Sequence, residues 1–472
     1  MPVVSSDGWW ARPLRIQAFL AAAVAALLLL CLAFAVEVAS RPDAYIARSD
    51  VGVYQRYGSE IVDGAVPYRD FELEYPPGAL PMFVLPAAGV LTRGSTAGAS
   101  WAPLNTAARH YQYGFASLVF LLAAAVLALT AASLAKLRRP AGTVLLSFAV
   151  VALSPLLVGD AFPGRFDVWP AALTAAALAA AVRYHYRIGG ALLGVGVATK
   201  IYPALIVPVL LIVAARHRGS REAILSAAAT IGAAVALFLP FAVMSFSGTW
   251  QAVRVQFQGG LQIESLTSSL LVVASHLGKE LNALGLPAPS LSNRATTHGI
   301  SRSVLVGPGL AQTAVVLNVL LAVVLLSIWV AVARSEAQPR EDLVRFAAGS
   351  ISTLLALGTV LSPQYLVWLF PLIPLVGGRR GVTATAMLAA AAVLTHLWFP
   401  SDYIDYENGL DAGPAELLLA RNLALLATAL LLLSPRNPFP ARRSQVRSRP
   451  AASGASAKND STARPPSESD RL

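Results

Sequence analysis

Residues 16–38 read IQAFLAAAVAALLLLCLAFAVEV, and this apolar run decides the class of the fold. A bilayer hydrocarbon core about 30 Å thick requires about 20 apolar residues in a helix that rises about 1.5 Å per residue. The run therefore predicts a helix that crosses a membrane. It is longer than the apolar core of a usual signal peptide, so we interpret it as a retained first span, although Arg12 and Arg15 precede it.

Comparable apolar runs recur along the whole chain. Of the 472 residues, 56% are hydrophobic and only 13% are charged, whereas about a quarter of the residues of a typical soluble domain are charged. A soluble core of this size does not need so much apolar surface. The composition therefore predicts a polytopic membrane protein.

The positively charged residues of the chain are concentrated in a few short clusters. The formal net charge of +11 invites a nucleic-acid-binding interpretation. However, Arg and Lys cluster between apolar runs, which is the pattern of cytoplasmic loops under the positive-inside rule. We therefore predict no nucleic-acid partner and place these clusters in the cytoplasm: residues 136–139, 183–187, 216–221, 334–345, 379–380 and the tail after Arg436.

With these clusters as anchors, the sequence predicts an all-α protein of about ten transmembrane helices in the plasma membrane, with both termini cytoplasmic. Basic clusters flank residues 189–215 on both sides, so this segment is predicted to be a helical hairpin broken near Thr199–Pro203, and counting its two arms gives twelve helices. The predicted spans are 16–38, 110–135, 141–158, 166–183, 222–246, 309–334, 342–360, 364–378, 381–399 and 415–434.

This topology predicts a membrane-embedded domain over residues 1–434 with outer segments at 39–109, 247–308 and 400–414. Residues 78–92 are apolar but short, and three prolines favour a helix at the outer interface rather than a span. Residues 435–472 are rich in Arg, Ser, Pro and Ala and are predicted to be a disordered cytoplasmic tail attracted to anionic membrane lipids.

Metal and disulfide chemistry find little support in the sequence. Cys31 is the only cysteine, so neither a disulfide framework nor a Cys-based metal site can be built. His276 and His298 lie far apart without the spacing of metal ligands. We therefore expect no metal and no cofactor.

The first outer segment concentrates acids, aromatics and prolines. Asp50 follows the first span shortly, and a carboxylate is a usual general base for taking a proton from a hydroxyl. The alternative is that Asp50 only caps the helix that follows it, as Asp often does. The run Glu74–Gly78 is stiff because each proline fixes its φ; it either forms the wall of a polar site or ends the loop.

Several short motifs along residues 45–370 recur in an order that resembles glycosyltransferase family 87 of the GT-C superfamily, which includes actinobacterial polyprenol-phosphate-mannose-dependent mannosyltransferases. The motifs are Asp50 with Tyr54 and Gly58, Pro67-Tyr68-Arg69-Asp70-Phe71, Glu74-Tyr75-Pro76-Pro77, Arg165-Phe166-Asp167, Thr199-Lys200-Ile201-Tyr202-Pro203 and Leu261-Gln262-Ile263-Glu264-Ser265-Leu266.

The resemblance implies a GT-C-like bundle and a metal-independent inverting transferase. Its donor is expected to be a polyprenyl-phosphate sugar, with mannose the expected sugar, and its acceptor a lipid or a glycan at the outer face. The catalytic base of the family maps onto Asp50. The sequence departs from many GT-C enzymes because Ser49 and Val51, rather than a second acid, flank Asp50.

Cations near the membrane are the candidate ligands of the donor phosphate. Lys200 lies in an otherwise apolar hairpin, and an intramembrane charge favours a functional role. We expect Lys200 to bind the phosphate with Tyr202 as a hydrogen-bond donor; the alternative is that Lys200 snorkels to an interface. Arg165 is a second candidate because its guanidinium matches phosphate oxygens, or else it forms a local ion pair with Asp160 or Asp167.

Candidate acceptor- or sugar-binding residues come from both large outer segments. Glu and Gln at the start of the second segment either bind sugar hydroxyls or orient a short interfacial helix. The candidates are Tyr54, Asp70, Glu74, Tyr75, Gln262 and Glu264.

Two other functions remain open at this point. A transporter or a flippase of lipid-linked sugars also has many spans, broken helices and an intramembrane Lys, but it is expected to gather polar residues at mid-membrane and to show related halves. Most acids here fall in the predicted outer segments, and no internal repeat is evident. A structural scaffold does not require so polar a first outer segment. We therefore favour the transferase.

Overall fold

Most of the residues that the structure describes lie in helices. The computed structural model describes residues 13–40, 49–91, 106–257, 260–277, 290–295 and 301–435; the predicted tail beyond 435, His298 and parts of the two large outer segments lie outside these ranges. The α-helices are α1 (Pro13–Ala39), α2 (Val51–Val62), α3 (Leu80–Leu91), α4 (Thr106–Lys136), α5 (Ala141–Ala152), α6 (Ser154–Val158), α7 (Val168–Ala181), α8 (Tyr186–Thr199), α9 (Val207–Arg218), α10 (Ser220–Met244), α11 (Phe246–Phe257), α12 (Leu266–Leu277), α13 (Leu310–Arg334), α14 (Pro339–Leu357), α15 (Gly378–His396), α16 (Tyr403–Gly409) and α17 (Ala412–Leu433).

Five of these helices are long and apolar enough to cross a membrane. A sixth candidate is the pair Ala141–Ala152 and Ser154–Ala161, which is bent by 56°. The prediction of a multi-pass helical membrane protein is therefore confirmed. The prediction of about ten spans, or twelve with both hairpin arms, is wrong by the length and composition of the helices, which give five or six candidates among the described residues. The five are Arg15–Ala39, Ala108–Lys136, Ser220–Met244, Leu310–Arg334 and Ala412–Leu433.

The excess spans were predicted because burial inside a protein and burial in lipid give the same apolar signal. Residues 166–183 hold the 14-residue α7, most of whose side chains are buried by other helices; 14 residues rise only about 21 Å. Residues 364–378 divide into the 3-10 helices Pro363–Leu369 and Ile373–Leu375. Prolines interrupt the backbone hydrogen bonds that a continuous helix requires there.

The predicted broken hairpin is present. The arms α8 and α9 are antiparallel, because the Tyr186 hydroxyl at the start of α8 lies 3.2 Å from Nδ1 of His217 at the end of α9. The break between the arms begins at Lys200, whose backbone is extended. It continues into a 3-10 helix over Tyr202–Leu205. The break follows from the sequence, because Pro203 has no N–H to donate to the Thr199 carbonyl, as a continuous α-helix would require, and its ring clashes with that carbonyl.

The arm α8 packs closely against α10. A Cβ on Gly190 would lie 2.5 Å from the Ser226 carbonyl oxygen, and one on Gly194 would lie 2.1 Å from the Thr230 carbonyl oxygen. Both positions require glycine because their backbones meet the neighbouring helix, as in other small-xxx-small helix pairs within membranes. This packing fixes the hairpin against a long spanning helix.

Two further features concern the outer segments. Residues 77–91 form a 3-10 helix over Pro77–Ala79 followed by α3, so the predicted helix is present, while its place relative to the membrane stays a prediction. The second outer segment contains an antiparallel sheet in the order β1-β3-β2, with β1 at Leu261–Gln262, β2 at Ser290–Ala295 and β3 at Ser301–Val306. The sequence analysis predicted no strands, so the fold is not purely α-helical.

Candidate active site

Asp50 directly precedes α2, but its carboxylate accepts no hydrogen bond from the backbone N–H groups of that helix. Its φ of −65° and ψ of −8° are already helical, and its side chain makes no capping hydrogen bond. One carboxylate oxygen forms an ion pair with Nη1 of Arg165. The other accepts a hydrogen bond from the Tyr54 hydroxyl at 3.3 Å. The helix-capping interpretation is therefore wrong in this structure, and Asp50 belongs to a polar cluster.

This polar cluster is partly open. The side chain of Asp50 is 24% exposed and that of Arg165 is 17% exposed, while Tyr54 is buried beneath them. The fork of a guanidinium group suits carboxylate and phosphate oxygens equally. The chemistry of Arg165 therefore suits either a carboxylate, as observed with Asp50, or a phosphate oxygen.

An aromatic cluster positions Arg165. Phe166, the next residue, is buried and packs edge-on against Tyr54 and Tyr75, with ring centroids 5.6 Å and 5.0 Å away. Phe83 from α3 stacks on Tyr54 at 4.8 Å. Such edge-to-face and offset pairs are favourable beyond the area that they bury. The cluster thus joins α2, the Glu74–Gly78 run and the turn before α7, which together carry the polar cluster.

Lys200 lies at the tip of the hairpin and is paired inside the protein. Its ammonium is 2.6 Å from Oδ1 of Asp167 at the start of α7, and the Trp368 indole N–H donates to the same oxygen at 2.7 Å. The ammonium also lies 4.9–5.1 Å from the centroids of three aromatic rings, and the faces of such rings attract a cation. Snorkelling is therefore not the arrangement in this structure. The rings belong to Phe166, Tyr365 and Trp368.

Tyr202 is held by neighbours other than Lys200. Its ring stacks on Trp368 at 4.1 Å, and its hydroxyl lies 3.1 Å from the Thr174 hydroxyl in α7. The side chain is buried. Its predicted contact to a phosphate remains a prediction, and the observed hydroxyl partner is Thr174.

The structure separates the predicted acids of the first outer segment. Asp70 is on the surface, where the Arg69 guanidinium at 2.8 Å and the Val66 amide at 2.7 Å hold the pKa of its carboxyl at about 2. Glu74 is buried, and its carbonyl oxygen accepts a hydrogen bond from the Gln256 amide at 2.7 Å. Of the acids predicted in this segment, Asp50 is the one that is paired with Arg165.

Gln262 and Glu264 lie in the second outer segment, and both side chains bind other parts of the protein. The Gln262 side-chain oxygen accepts the Leu361 amide N–H at 3.0 Å, and its amide lies 3.3 Å from the Ser362 hydroxyl. Glu264 is 1% exposed. Its carboxylate lies 3.6 Å from Nη1 of Arg421, and burial raises its pKa to about 8 against the opposing charge of that arginine. The cap at the start of α12 is Ser265 rather than Gln262 or Glu264, because its hydroxyl oxygen accepts the backbone N–H of Ser268 at 3.3 Å.

The structure also shows functional candidates that the sequence analysis did not select. Arg421 is fully buried in α17 and donates to the Glu264 carbonyl oxygen at 2.7 Å. An arginine inside an apolar span is itself a signal of function, so it was there to be found. Trp368 gave no such signal, because a tryptophan in an apolar run is ordinary. Among the described residues, no group of three His, Cys, Asp or Glu side chains is arranged to hold a metal ion.

A crystal structure of ArnT from Cupriavidus metallidurans bound to undecaprenyl phosphate is similar at 14% sequence identity and a TM-score of 0.41, covering 89% of this chain and 77% of that chain. This likeness is too distant to relate individual residues of the two chains. A search of the curated proteins found no match.

A family match extends over most of the residues described above. The sequence matches glycosyltransferase family 87 over residues 73–363, a range that includes Arg165, Asp167 and Lys200 and begins after Asp50. The range covers more than half of the 472 residues. The chain therefore belongs to glycosyltransferase family 87.

Proposed function

We propose that this membrane glycosyltransferase moves a sugar, with mannose the expected one, from a polyprenyl-phosphate donor to a lipid or glycan acceptor at the outer face of the plasma membrane. The observation that carries the proposal is the pairing of Asp50 with Arg165. It places a candidate base beside a candidate phosphate ligand in a partly open cluster. The family resemblance stated from the sequence supports the donor class and the sugar.

The proposed reaction uses both partners of this ion pair. Arg165 binds the donor phosphate, which releases the Asp50 carboxylate from its counter-ion. Asp50 then takes the proton of the acceptor hydroxyl while the hydroxyl oxygen attacks the anomeric carbon. The bond between the anomeric carbon and the phosphate oxygen breaks, the anomeric configuration inverts, and polyprenyl phosphate leaves with both bonding electrons.

The remaining candidates surround this centre in the proposal. The Lys200 ammonium and the Tyr202 hydroxyl are proposed as further ligands of the phosphate. Asp167 holds Lys200 in position, and Trp368 holds Tyr202. Tyr54 contacts the base directly. We propose acceptor or sugar contacts for Tyr54, Asp70, Glu74, Tyr75, Gln262 and Glu264.

The donor role of Arg165 predicts that Arg165→Ala weakens use of the lipid-linked donor by roughly 10- to 150-fold. The estimate follows from a charged hydrogen bond of about 1.5–3 kcal/mol. The measurement is the apparent KM for a polyprenyl-phosphate sugar with purified protein. Arg254→Ala, which removes an exposed arginine of α11, is the matched control and should leave this KM unchanged. An unchanged KM in Arg165→Ala would remove the proposed phosphate ligand.

The proposed orientation predicts which surface positions react with a membrane-impermeant thiol reagent. In a Cys31→Ser background, a cysteine replacing Asp63 or Asn408 should be labelled on intact spheroplasts, and one replacing Ser220 should not. All three positions are exposed, and none is a left-handed glycine at which a side chain is strained. Labelling at Ser220 with protection at Asp63 would invert the topology and place the active site in the cytoplasm.

The direct test in cells compares glycans with and without this protein. Lipid-linked and envelope glycans from a deletion strain should lack one sugar residue in one species, and wild-type protein should restore it. Restoration by the Asp50→Asn variant would contradict the proposed chemistry, and an unchanged glycan profile in the deletion strain would contradict the transferase assignment at the envelope.

A further inference from the structure

The short helix α16 lies in the outer segment at 400–414 and is attached to the second outer segment at two points. The buried Tyr406 donates its hydroxyl hydrogen to the Ile263 carbonyl oxygen at 3.3 Å. Just after α16, the Leu410 carbonyl oxygen lies 2.7 Å from Nε2 of His276 in α12. These contacts fix α16 against the second outer segment.

Two polar side chains of α16, Tyr403 and Glu407, meet at Ser303 in β3. Their spacing of four residues places them on one face of the helix. The Ser303 hydroxyl donates to Oε1 of Glu407, and a hydrogen bond also links the side chains of Ser303 and Tyr403. Tyr403 and Glu407 are both partly exposed. A carboxylate can accept about four hydrogen bonds, so Glu407 can accept others besides that of Ser303.

The buried pair of Glu264 and Arg421 also has unused hydrogen-bonding capacity. Oε2 of Glu264 lies 3.6 Å from Nη1 of Arg421, which is too far for a hydrogen bond. Among the described residues neither atom has a hydrogen-bond partner, although Glu264 is 1% exposed and Arg421 is fully buried. Buried polar groups normally find partners, because leaving them unpaired costs free energy. A hydroxyl group both donates and accepts, so a ligand with several hydroxyl groups complements this pair.

Arg165 of the candidate active site lies near these groups. Burial raises the pKa of the Glu264 carboxyl to about 8, and the positive charges of Arg421 and Arg165 oppose that rise. Burial also raises the pKa of the Tyr403 phenol, and the negative charges of Glu264 and Glu407 add to that rise. Arg165 opposes it here as well. Because the energy between charges falls with distance, Glu264 and Tyr403 are close to the guanidinium that is proposed to bind the donor phosphate.

We propose that Tyr403 and Glu407, beside the buried Glu264, form a subsite that binds hydroxyl groups of the donor sugar. This inference rests on the proposed function, in which Arg165 binds the donor phosphate. The sugar is bonded directly to that phosphate, so polar groups near Arg165 are also near the sugar. Hydrogen bonds from hydroxyl groups to a carboxylate are stronger than those between neutral groups. The subsite therefore contributes to the choice of sugar.

The test compares two ligands that share the phosphate and the lipid but differ in the sugar. With the purified full chain and a saturating membrane lipid and glycan extract as acceptor, one measures the KM for polyprenyl-phosphate mannose. The second quantity is the inhibition constant of polyprenyl phosphate, which carries no sugar. Glu407→Gln keeps an oxygen for the Ser303 hydroxyl and removes the charge. It should raise the donor KM about tenfold, because hydrogen bonds to charged groups are stronger than neutral ones, and it should leave the inhibition constant unchanged.

A second variant keeps the test decisive if Glu407→Gln does not fold. Tyr403→Phe removes the hydroxyl group and keeps the ring that stacks on Trp398. It should raise the donor KM about fivefold, again without changing the inhibition constant of polyprenyl phosphate. The matched control Asp405→Asn changes an exposed acid of the same helix and should leave both constants unchanged.

Three results would overturn the subsite while leaving the proposed function in place. The first is an unchanged donor KM in either folded variant. The second is an equal rise in the donor KM and the inhibition constant, which would show a disturbed phosphate site. The third is a normal donor KM with a raised half-saturating concentration of the acceptor extract, which would show an acceptor contact. Absence of product with the wild-type protein would contradict the proposed function itself, and the subsite with it.

Discussion

Asp50→Asn should lower turnover by two to four orders of magnitude while the protein remains folded. Loss of a general base costs roughly 10²- to 10⁴-fold in rate, or about 3–5 kcal/mol of barrier. Asparagine keeps the shape of the side chain and removes its basicity. The measurement is the turnover of purified protein with a polyprenyl-phosphate sugar and acceptor, together with the thermal stability of each preparation.

The stability of Asp50→Asn separates the catalytic role from a structural one. Because Asp50 makes no capping hydrogen bond and is partly exposed, the melting temperature should stay near that of the wild type. Asp63→Asn, at the other end of α2, is the matched control and should keep normal turnover. If Asp50→Asn turns over normally, Asp50 is not the base, and Glu74 or Glu264 takes its place as the candidate.

Lys200→Met should destabilise the protein by about 3–5 kcal/mol, because removing one partner of a buried ion pair leaves the other charge uncompensated. The charge left behind is that of Asp167, which is 2% exposed. The double variant Lys200→Met/Asp167→Asn removes both charges and keeps an oxygen for the Trp368 indole N–H. It should recover most of the lost stability, as measured by chemical or thermal unfolding in detergent.

The same double variant isolates the proposed phosphate contact of Lys200. If it is stable and its KM for the lipid-linked donor is raised, Lys200 serves the donor as well as the fold. A stable double variant with a normal KM restricts Lys200 to the ion pair. A single variant as stable as the wild type would contradict the buried pairing itself.

Some features of this molecule were predicted from local patterns in the sequence. The long apolar runs give the spanning helices, Pro203 gives the break in the hairpin, and the motif order gives glycosyltransferase family 87, which the family match confirms. These signals depend on residues close together in the chain. They were therefore readable without the fold.

Other features depend on contacts between distant residues. The partners of Arg165 and Lys200 are Asp50 and Asp167. The sequence analysis offered Asp160 and Asp167 as partners of Arg165 and no acid for Lys200, because an ion pair between residues far apart in the chain leaves no local pattern. The number of spans was overestimated because α7 is apolar on every side through protein burial rather than lipid contact. The sheet was missed because β1 has two residues and its partners in β3 lie 42 and 44 positions away along the chain.

The most direct test of the account is the fate of the donor in proteoliposomes that contain the purified full chain. The donor is a polyprenyl-phosphate mannose labelled in its sugar, and the acceptor is a membrane lipid and glycan extract from cells that lack the protein. The account predicts that labelled product and free polyprenyl phosphate form in equal amounts, that Asp50→Asn forms neither, and that a sugar nucleotide alone yields no product. Product made from the sugar nucleotide alone, or movement of intact donor across the bilayer without release of polyprenyl phosphate, would contradict it.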